Sequence, residues 1–317
     1  MVKFIQNLKN KFRLYKNISY LIETNNQIMA DNILKNNELY IKKDNLTYQT
    51  LNSNNLGVSN SKMLQNDLTI SLTTYGERIF QVYLTIESIM QGSIKPNRLL
   101  LWLDTSYKKA RLPQTLINQQ KRGLEIKYYD NILSYKKLIP TLLTYPNDII
   151  ITIDDDAIYN FDFVENLVNS YLDHPNSINA NRIHKITFNN LGQINKYENW
   201  QKTIGNTEDI SNLYFPVGCG GILYPPGCFD NEVFNQKVFM DICKYADDVW
   251  FYAMAKRNHT PIVKAYTKSN FGEDYIDIDI DHTDGLMHNN WNGGNDKQIQ
   301  AVFTKYNILD IIKGSDI

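Results

Sequence analysis

Residues 148–156, with the sequence DIIITIDDD, place a run of β-branched residues directly before three carboxylates. Such a run is typical of a strand that is buried on both faces in the middle of a parallel sheet. Carboxylates inside the core would destabilise the fold unless positive charge compensated them. We therefore expect them just outside the carboxyl end of the strand, where open α/β sheets bind ligands. Their oxygens suit a hard divalent cation such as Mg²⁺ or Mn²⁺, and a solvated acidic turn is the alternative.

The composition of the chain excludes several classes of protein. Its 317 residues carry a formal net charge of -1, so no overall basic field favours nucleic acid as a partner. The long apolar runs, such as LLLWL at residues 99–103, are too short to span a bilayer. Charges interrupt the amino terminus, which therefore does not resemble a secretory signal. The cysteines, which lack CxxC spacing, predict reduced thiols in a cytoplasmic protein.

Residues 1–65 differ from the rest of the chain, because they are rich in Asn and Lys and lack proline. Apolar residues at helical spacing, with basic residues on the other faces, predict an amphipathic helical extension. The apolar positions are Met1, Phe4, Ile5, Leu8, Phe12 and Tyr15. Two interpretations stay open. Residues 1–20 lie on an anionic membrane surface, at the inner face of the cytoplasmic membrane, or the helix packs against its own domain or a partner.

Strand and helix patterns alternate from residue 66 onward. Strands are predicted at 68–73, 98–103, 124–129 and 149–153, and helices between them at 78–90, 113–121 and 134–143. Alternation with short connections predicts an α/β fold with a mostly parallel, doubly wound, Rossmann-like sheet flanked by helices. Further helices are expected at 161–171 and 246–256 and a strand at 261–266, whereas residues 271–295 show little periodicity.

Polar residues that suit a nucleotide follow the predicted strands. The first strand runs into LTTYGER at residues 72–78, which could receive a nucleotide or form a structural turn. Neither GxGxxG nor the P-loop pattern is present there. Asp104 follows the second strand, either as a ribose or base contact or as a helix cap. Lys136 and Lys137 precede the central strand and could neutralise phosphate or lie exposed.

A second acidic element, ADDVW, occupies residues 246–250 at the start of a predicted helix. Asp247 and Asp248 either cap this helix or act as a base beside a metal held by the first cluster. Residues 215–224, FPVGCGGILY, contain glycines that permit close approach to a ligand or form a tight turn. His288, in the irregular tail, could complete a metal site.

Five motifs in this order resemble those of bacterial glycosyltransferases of the GT-A fold: LTTYGER, LLLWLD, IITIDDD, PVGCGGILYPPG and ADDVWFYAMAKR. The resemblance covers about residues 67–300 and not the N-terminal segment. It implies a GT-A domain over residues 66–317, with a nucleotide-binding half at 66–156 and an acceptor-binding half at 157–317. It also implies transfer of a sugar from a nucleoside-diphosphate sugar to a saccharide or lipid-linked saccharide during surface polysaccharide assembly.

The same resemblance implies roles for individual residues. The triplet corresponds to the DXD motif of the family, so Asp154 and Asp156 would bind Mn²⁺ or Mg²⁺ with His288 as a further ligand. Asp154 and Asp155 would contact the donor nucleotide. Asp248 would be the catalytic base beside Asp247, although both are Asp where the family has Glu-Asp, which leaves open which one is the base. Further donor contacts would be Thr73, Tyr75, Arg78, Asp104, Lys136, Gly220 and Gly221.

Several alternatives to this function can be separated by sequence. We expect inversion, because one in-line displacement needs one base, and retention is the alternative. A sugar nucleotidyltransferase shares a related sheet but is expected to carry a Gly- and Arg-rich loop after the first strand. A phosphohydrolase is expected to carry DxDGT, and a carbohydrate-binding protein gives no reason for two carboxylate clusters. From their position, the residues expected to meet the acceptor are Arg182, His184, Tyr197 and Trp200.

Overall fold

The computed structural model describes residues 24–25, 27, 29, 33–34, 36–268, 275–278 and 294–314. The chain forms two compact units, Met1–Tyr48 and Gln49–Ile317. In the first unit all described residues are helical. The second unit begins with helical residues 49–52 and continues through an irregular segment to residue 67. This unit therefore starts ahead of the first predicted strand.

A mainly parallel sheet of seven strands forms the centre of the second unit. The strands of the described residues are β1 (Leu68–Thr73), β2 (Arg98–Asp104), β3 (Leu124–Tyr129), β4 (Ile149–Thr152), β5 (Ala157–Tyr159), β6 (Ile178–Ala180), β7 (Ile183–Lys185), β8 (Tyr214–Pro216), β9 (Ile222–Tyr224), β10 (Ile262–Lys264) and β11 (Tyr275–Asp277). The order in the sheet is β10-β6-β9-β4-β1-β2-β3. Strands β4, β1, β2 and β3 run parallel, as do β6 and β10. The predicted α/β fold with a mostly parallel sheet is confirmed.

The direction of β9 differs from the doubly wound pattern that the sequence predicts. β9 lies between β4 and β6 and is antiparallel to both. The chain reverses just before it, in a 3-10 turn at Gly218–Gly220 followed by Gly221 at φ +81°. A positive φ of this size favours glycine. The hydrophobic pattern of a short buried strand does not encode its direction, so the sequence could not show this reversal.

Two small antiparallel ribbons flank the sheet. β7 pairs with β8, and β5 pairs with β11. The second ribbon corrects the expectation that the tail is irregular, since Tyr275 and Ile276 lie opposite Tyr159 and Ile158. This pairing joins residues far apart in the chain, and a strand of three residues leaves no periodic signal.

Helices pack on both faces of the sheet. They are α1 (Val82–Met90), α2 (Gln114–Gln120), α3 (Ile139–Thr144), α4 (Phe163–Asp173), α5 (Gln236–Ile242), α6 (Asp247–Arg257), α7 (Asn295–Lys305) and α8 (Ile308–Gly314). Side chains alternate across β4, so that Ile150 joins one hydrophobic cluster while Ile149 and Ile151 join the other. In the part of the chain that the structure describes, no helix has the length and apolar character needed to cross a membrane.

Two predicted helices begin as 3-10 turns. The helix expected at 78–90 is a 3-10 turn at Gly76–Phe80 followed by α1. The helix expected at 134–143 divides into a 3-10 turn at Leu133–Lys137 and α3. Pro140, near the start of α3, cannot donate a backbone hydrogen bond, which prevents one continuous α-helix. The remaining 3-10 turns lie at Thr105–Lys109, Tyr197–Asn199 and Asn231–Phe234.

A buried ion pair connects α1 to the turn before β3. Arg122 Nη1 lies 2.8 Å from Glu87 Oε2, and the two side chains are 3% and 0% exposed. Gln119 and Gln91 also donate to the Glu87 carboxylate, at 3.1 and 2.7 Å. Charges at this depth have lost their hydration, so each depends on the other for compensation.

Replacing Arg122 should therefore destabilise the fold strongly. We expect Arg122→Met to lower the free energy of unfolding by about 3–5 kcal/mol, because Glu87 would stay buried without its partner. Arg98 serves as a matched control, since it pairs with Asp67 and Asp148 but is 27% exposed. Arg98→Met should cost about 1 kcal/mol or less. Urea unfolding measures both, and equal losses would contradict the prediction.

Candidate active site

The aspartate triplet follows β4 at the carboxyl edge of the parallel strands. Within it, Asp155 turns inward and is 7% exposed. Its carboxylate accepts hydrogen bonds from Thr74 Oγ1 at 2.5 Å and Arg78 Nη1 at 3.0 Å. Burial raises the pKa of Asp155, and Arg78 and Thr74 oppose this rise. Asp155 therefore anchors the loop, while its two neighbours are left to face outward.

Asp154 and Asp156 keep part of their surface open, with side chains that are 31% and 32% exposed. Asp154 Oδ1 lies 2.8 Å from Lys137 Nζ, and Asp156 Oδ2 lies 2.9 Å from Arg78 Nη1. Burial, followed by the charges of Asp154 and Asp155, raises the pKa of Asp156 to about 6. The three carboxylates at this edge of the sheet thus carry more negative charge than Lys137 and Arg78 neutralise.

The second acidic element meets the first at this edge. Asp247 and Asp248 form the first turn of α6. Asp247 Oδ2 lies 3.1 Å from Lys137 Nζ, the same ammonium group that contacts Asp154. Two elements that are about 90 residues apart in the sequence therefore share one counter-ion.

Asp248 has the environment of a base. Its Oδ2 accepts the backbone N–H of Gly218 at 2.9 Å. The residue also borders a small cavity with apolar walls that include Ile178, Pro216 and Ile222. Burial, followed by the charge of Asp247, raises the pKa of Asp248 to about 7, while Lys137 opposes the rise. A carboxylate with a pKa near neutrality is suited to general base catalysis.

Lys137 is a site residue that the predicted donor contacts omit, since of the two adjacent lysines that could neutralise phosphate only Lys136 is among those contacts. The two lysines diverge from the 3-10 turn. Lys136 Nζ donates to Asn131 Oδ1 at 3.1 Å and lies near Asp104, whereas Lys137 points into the acidic site. Both are buried, at 2% and 5% exposure. The available signal was two adjacent lysines before the central strand, which does not show which one faces the site.

At the glycines between the two acidic elements, an added β-carbon would meet different neighbouring atoms. A β-carbon at Gly218 would lie 2.9 Å from Asp248 Oδ1 and 3.0 Å from Lys137 Nζ. At Gly220 and Gly221, which the resemblance places near the donor sugar, a β-carbon would lie 2.3 Å from Arg182 Cβ and Phe163 Cζ, respectively. Packing therefore already requires the last two glycines, and Gly218 is the one that borders the acidic groups.

The other predicted donor contacts lie along the same edge. Thr73 donates to the carbonyl of Trp102 at 2.8 Å, so its hydroxyl bridges β1 and β2. Tyr75 is exposed, and the Arg78 guanidinium lies 5.4 Å from its ring centre. Asp104 accepts the N–H of Ser106 at 2.9 Å and so caps the turn after β2. The hydrogen bond with Ser106 lowers the pKa of Asp104.

The residues expected to meet the acceptor divide into two groups. His184 and Trp200 are each 3% exposed, so they belong to the interior instead of a saccharide-binding surface. Burial lowers the pKa of His184 to about 3, and its Nδ1 accepts the N–H of Thr203. Tyr197 and Arg182 are partly exposed. Arg182 Nη1 contacts Cys219 Sγ at 2.8 Å and Tyr275 Oη at 3.2 Å.

The side chains at the sheet edge suit a divalent cation that is shared with a substrate. Among the described residues, no three His, Cys, Asp or Glu side chains converge to hold a metal. His288 lies outside the described residues. Asp154 and Asp156 can supply two hard oxygen ligands, and Mg²⁺ in enzymes is commonly bound by one or two carboxylates plus substrate phosphates. The carboxylate oxygens of Asp154 and Asp156 therefore fit Mg²⁺ or Mn²⁺ that arrives with a diphosphate.

Comparisons with known proteins add a distant structural likeness. No family model and no curated protein matches the chain. Among solved structures, the mannosyltransferase PcManGT from Pyrobaculum calidifontis, in complex with GDP-Man and Mn²⁺, is similar in shape. The TM-score is 0.47 and the identity 11%, over 88% of this chain and 79% of that chain. A likeness at this level leaves the function to be argued from the site.

Proposed function

We propose that the chain is a metal-dependent glycosyltransferase that moves a sugar from a nucleoside-diphosphate sugar to a saccharide acceptor. One observation carries the proposal: Lys137 contacts Asp154 at 2.8 Å and Asp247 at 3.1 Å, so both acidic clusters border one site. One cluster is suited to a cation and the other contains a carboxylate with a pKa near neutrality. When the surroundings give neighbouring carboxylates different pKa values, one carboxylate can act as a base while others stay ionised and bind a cation.

On the donor side, Asp154 and Asp156 would hold Mn²⁺ or Mg²⁺ against the diphosphate. The bound cation supplies Lewis-acid chemistry, because it stabilises the negative charge of the departing group. Arg78, which lies 2.9 Å from Asp156 Oδ2, would orient that carboxylate, and Asp155 would keep the loop in place. In this proposal Thr73, Tyr75, Asp104 and Lys136 border the nucleotide along the carboxyl edge of β1 and β2.

On the acceptor side, Asp248 would take the proton of the attacking hydroxyl. Its pKa of about 7 keeps it ionised in a useful fraction of molecules at neutral pH and still basic enough to accept a proton. Asp247, held by Lys137, would orient the acceptor or the sugar. One base and one in-line displacement correspond to inversion at the anomeric carbon, and NMR of the product distinguishes inversion from retention.

The donor assay tests the class of enzyme. With Mn²⁺ and a panel of labelled nucleotide sugars, we expect one donor to be hydrolysed slowly and transferred when acceptor is present. Asp156→Ala should abolish metal-stimulated donor binding in a calorimetric titration, since it removes a cation ligand, whereas the exposed Asp173→Ala should not. Reaction of a sugar 1-phosphate with a nucleoside triphosphate instead would identify a sugar nucleotidyltransferase. Unchanged metal dependence would remove Asp156 from the site.

Asp248→Asn should separate donor binding from transfer. The amide cannot accept the proton, so we expect donor affinity to change little while kcat falls by about 10² or more. In the unmodified enzyme kcat should rise with pH through about 7, because Asp248 acts in its ionised form. Asp241→Asn, an exposed change on α5, is the control. Normal turnover in Asp248→Asn would place the base elsewhere.

We further propose that the enzyme acts in the assembly of a bacterial surface polysaccharide, in the cytoplasm and at the inner face of the membrane. The basic amphipathic pattern of residues 1–20 supports this location. Exposed apolar side chains in the helical first unit, such as Tyr40, Ile41 and Tyr48, are also consistent with it. A membrane location would suit an acceptor saccharide that is linked to a lipid.

Deleting residues 1–20 tests the membrane proposal. Transfer to a short soluble acceptor should remain, while co-sedimentation with anionic phosphatidylglycerol vesicles should decrease, because apolar and basic side chains are lost together. Neutral phosphatidylcholine vesicles show the part of the binding that does not depend on charge. Binding to anionic vesicles that survives the deletion would refute a role for this segment.

A further inference from the structure

Lys137 occupies an unusual place for a lysine. Its side chain is 7% exposed and ends between Asp154 and Asp247. Lysine is rarely buried without a paired charge, because the ammonium group loses its hydration. The residue is therefore a fixed positive charge inside an acidic site.

The backbone at Gly218 brings this charge close to Asp248. The Gly218 N–H donates to Asp248 Oδ2, and the space that a β-carbon would occupy lies 2.9 Å from Asp248 Oδ1 and 3.0 Å from Lys137 Nζ. The ammonium group and the carboxylate thus lie on the same side of one glycine. Both groups lie within 3.0 Å of the same point beside Gly218. A positive charge this near to a carboxylate favours the ionised form of the carboxylate.

We propose that Lys137 is a positioning residue that holds the two acidic clusters in one site and stabilises negative charge on the Asp248 carboxylate. The inference rests on the proposed glycosyl transfer, in which Asp248 accepts the acceptor's proton. Lys137 itself exchanges no proton and touches no reacting atom. Its contacts with Asp154 and Asp247 connect the carboxylate that faces the donor to the helix turn that carries Asp248.

Other groups also influence the ionisation of Asp248, and the test must distinguish their effect from that of Lys137. Asp247 lies on the same helix and Asp154 follows β4. Further titratable side chains near Asp248 are Tyr135, Tyr197, Tyr224 and Cys243. These groups are acidic or neutral. Lys137, in contrast, is basic, and its charge lowers the pKa of Asp248.

The first test does not depend on enzymatic activity. Urea unfolding is compared at pH 5 and pH 8 for the unmodified protein, Lys137→Met, Asp248→Asn and the double variant. Because the pKa of Asp248 is raised in the folded state, this group stabilises the fold less as pH rises towards 8. Lys137 opposes that trend. Lys137→Met should therefore lower the urea midpoint more at pH 8 than at pH 5, and Asp248→Asn should reduce the difference.

Lys136→Met is the matched control for unfolding. Lys136 lies on the same 3-10 turn and is also buried, but its ammonium group contacts Asn131. Its loss of stability should not depend on Asp248→Asn. If Lys137→Met does not fold, Lys137→Gln keeps hydrogen-bonding capacity without the charge and takes its place. A loss that is equal at both pH values, or that Asp248→Asn leaves unchanged, would overturn the proposal.

The second test uses the transfer reaction. In Lys137→Met the pH at which kcat is half-maximal should rise by about one unit or more, since an adjacent opposite charge commonly shifts a carboxyl pKa by that amount. The rate at pH 7 should fall about fivefold or more and recover at higher pH. A rate that falls equally at every pH would indicate a purely structural lysine. If no nucleotide sugar reacts with the unmodified protein, the proposed function fails, and unfolding still decides the role of Lys137.

Discussion

The ammonium group of Lys137 is shared by carboxylates from two distant parts of the chain, and the site depends on this sharing. Asp154 comes from the edge of the parallel sheet and Asp247 from the start of α6, at 2.8 and 3.1 Å from the nitrogen atom. Without a cation between them, partly buried carboxylates would repel one another and lose hydration. A single buried lysine thus makes one acidic site out of two acidic segments, and Gly218 leaves the space that it needs.

Each carboxylate in the site has a different environment, and the environment sets its chemistry. Asp155 is buried, with Thr74 and Arg78 as hydrogen-bond donors, so it stabilises the loop. Asp154 and Asp156 keep about a third of their side-chain surface exposed and can face a cation and a diphosphate. Asp248 borders an apolar cavity, and its pKa rises towards neutrality. Three consecutive aspartates therefore do not act as three equivalent ligands.

Much of this arrangement was visible in local patterns. The buried strand ending in three aspartates, the alternation of strands and helices, and the acidic start of α6 all predicted elements that the structure contains. The same patterns did not predict that β9 runs antiparallel, and they did not predict the strand β11. They also suggested saccharide contacts at His184 and Trp200, which are buried, because an aromatic or imidazole side chain looks the same in sequence whether it packs inside or faces solvent.

Periodicity and the position of charges at strand ends were sufficient for the fold class and for the acidic clusters, because these features depend on neighbours in the chain. The choice of Lys137 over Lys136, the inward turn of Asp155 and the packing that requires Gly220 and Gly221 depended on tertiary contacts. These contacts join residues from separate strands and helices. Their free energies come from burial and from charges brought together across the fold, which no local pattern records.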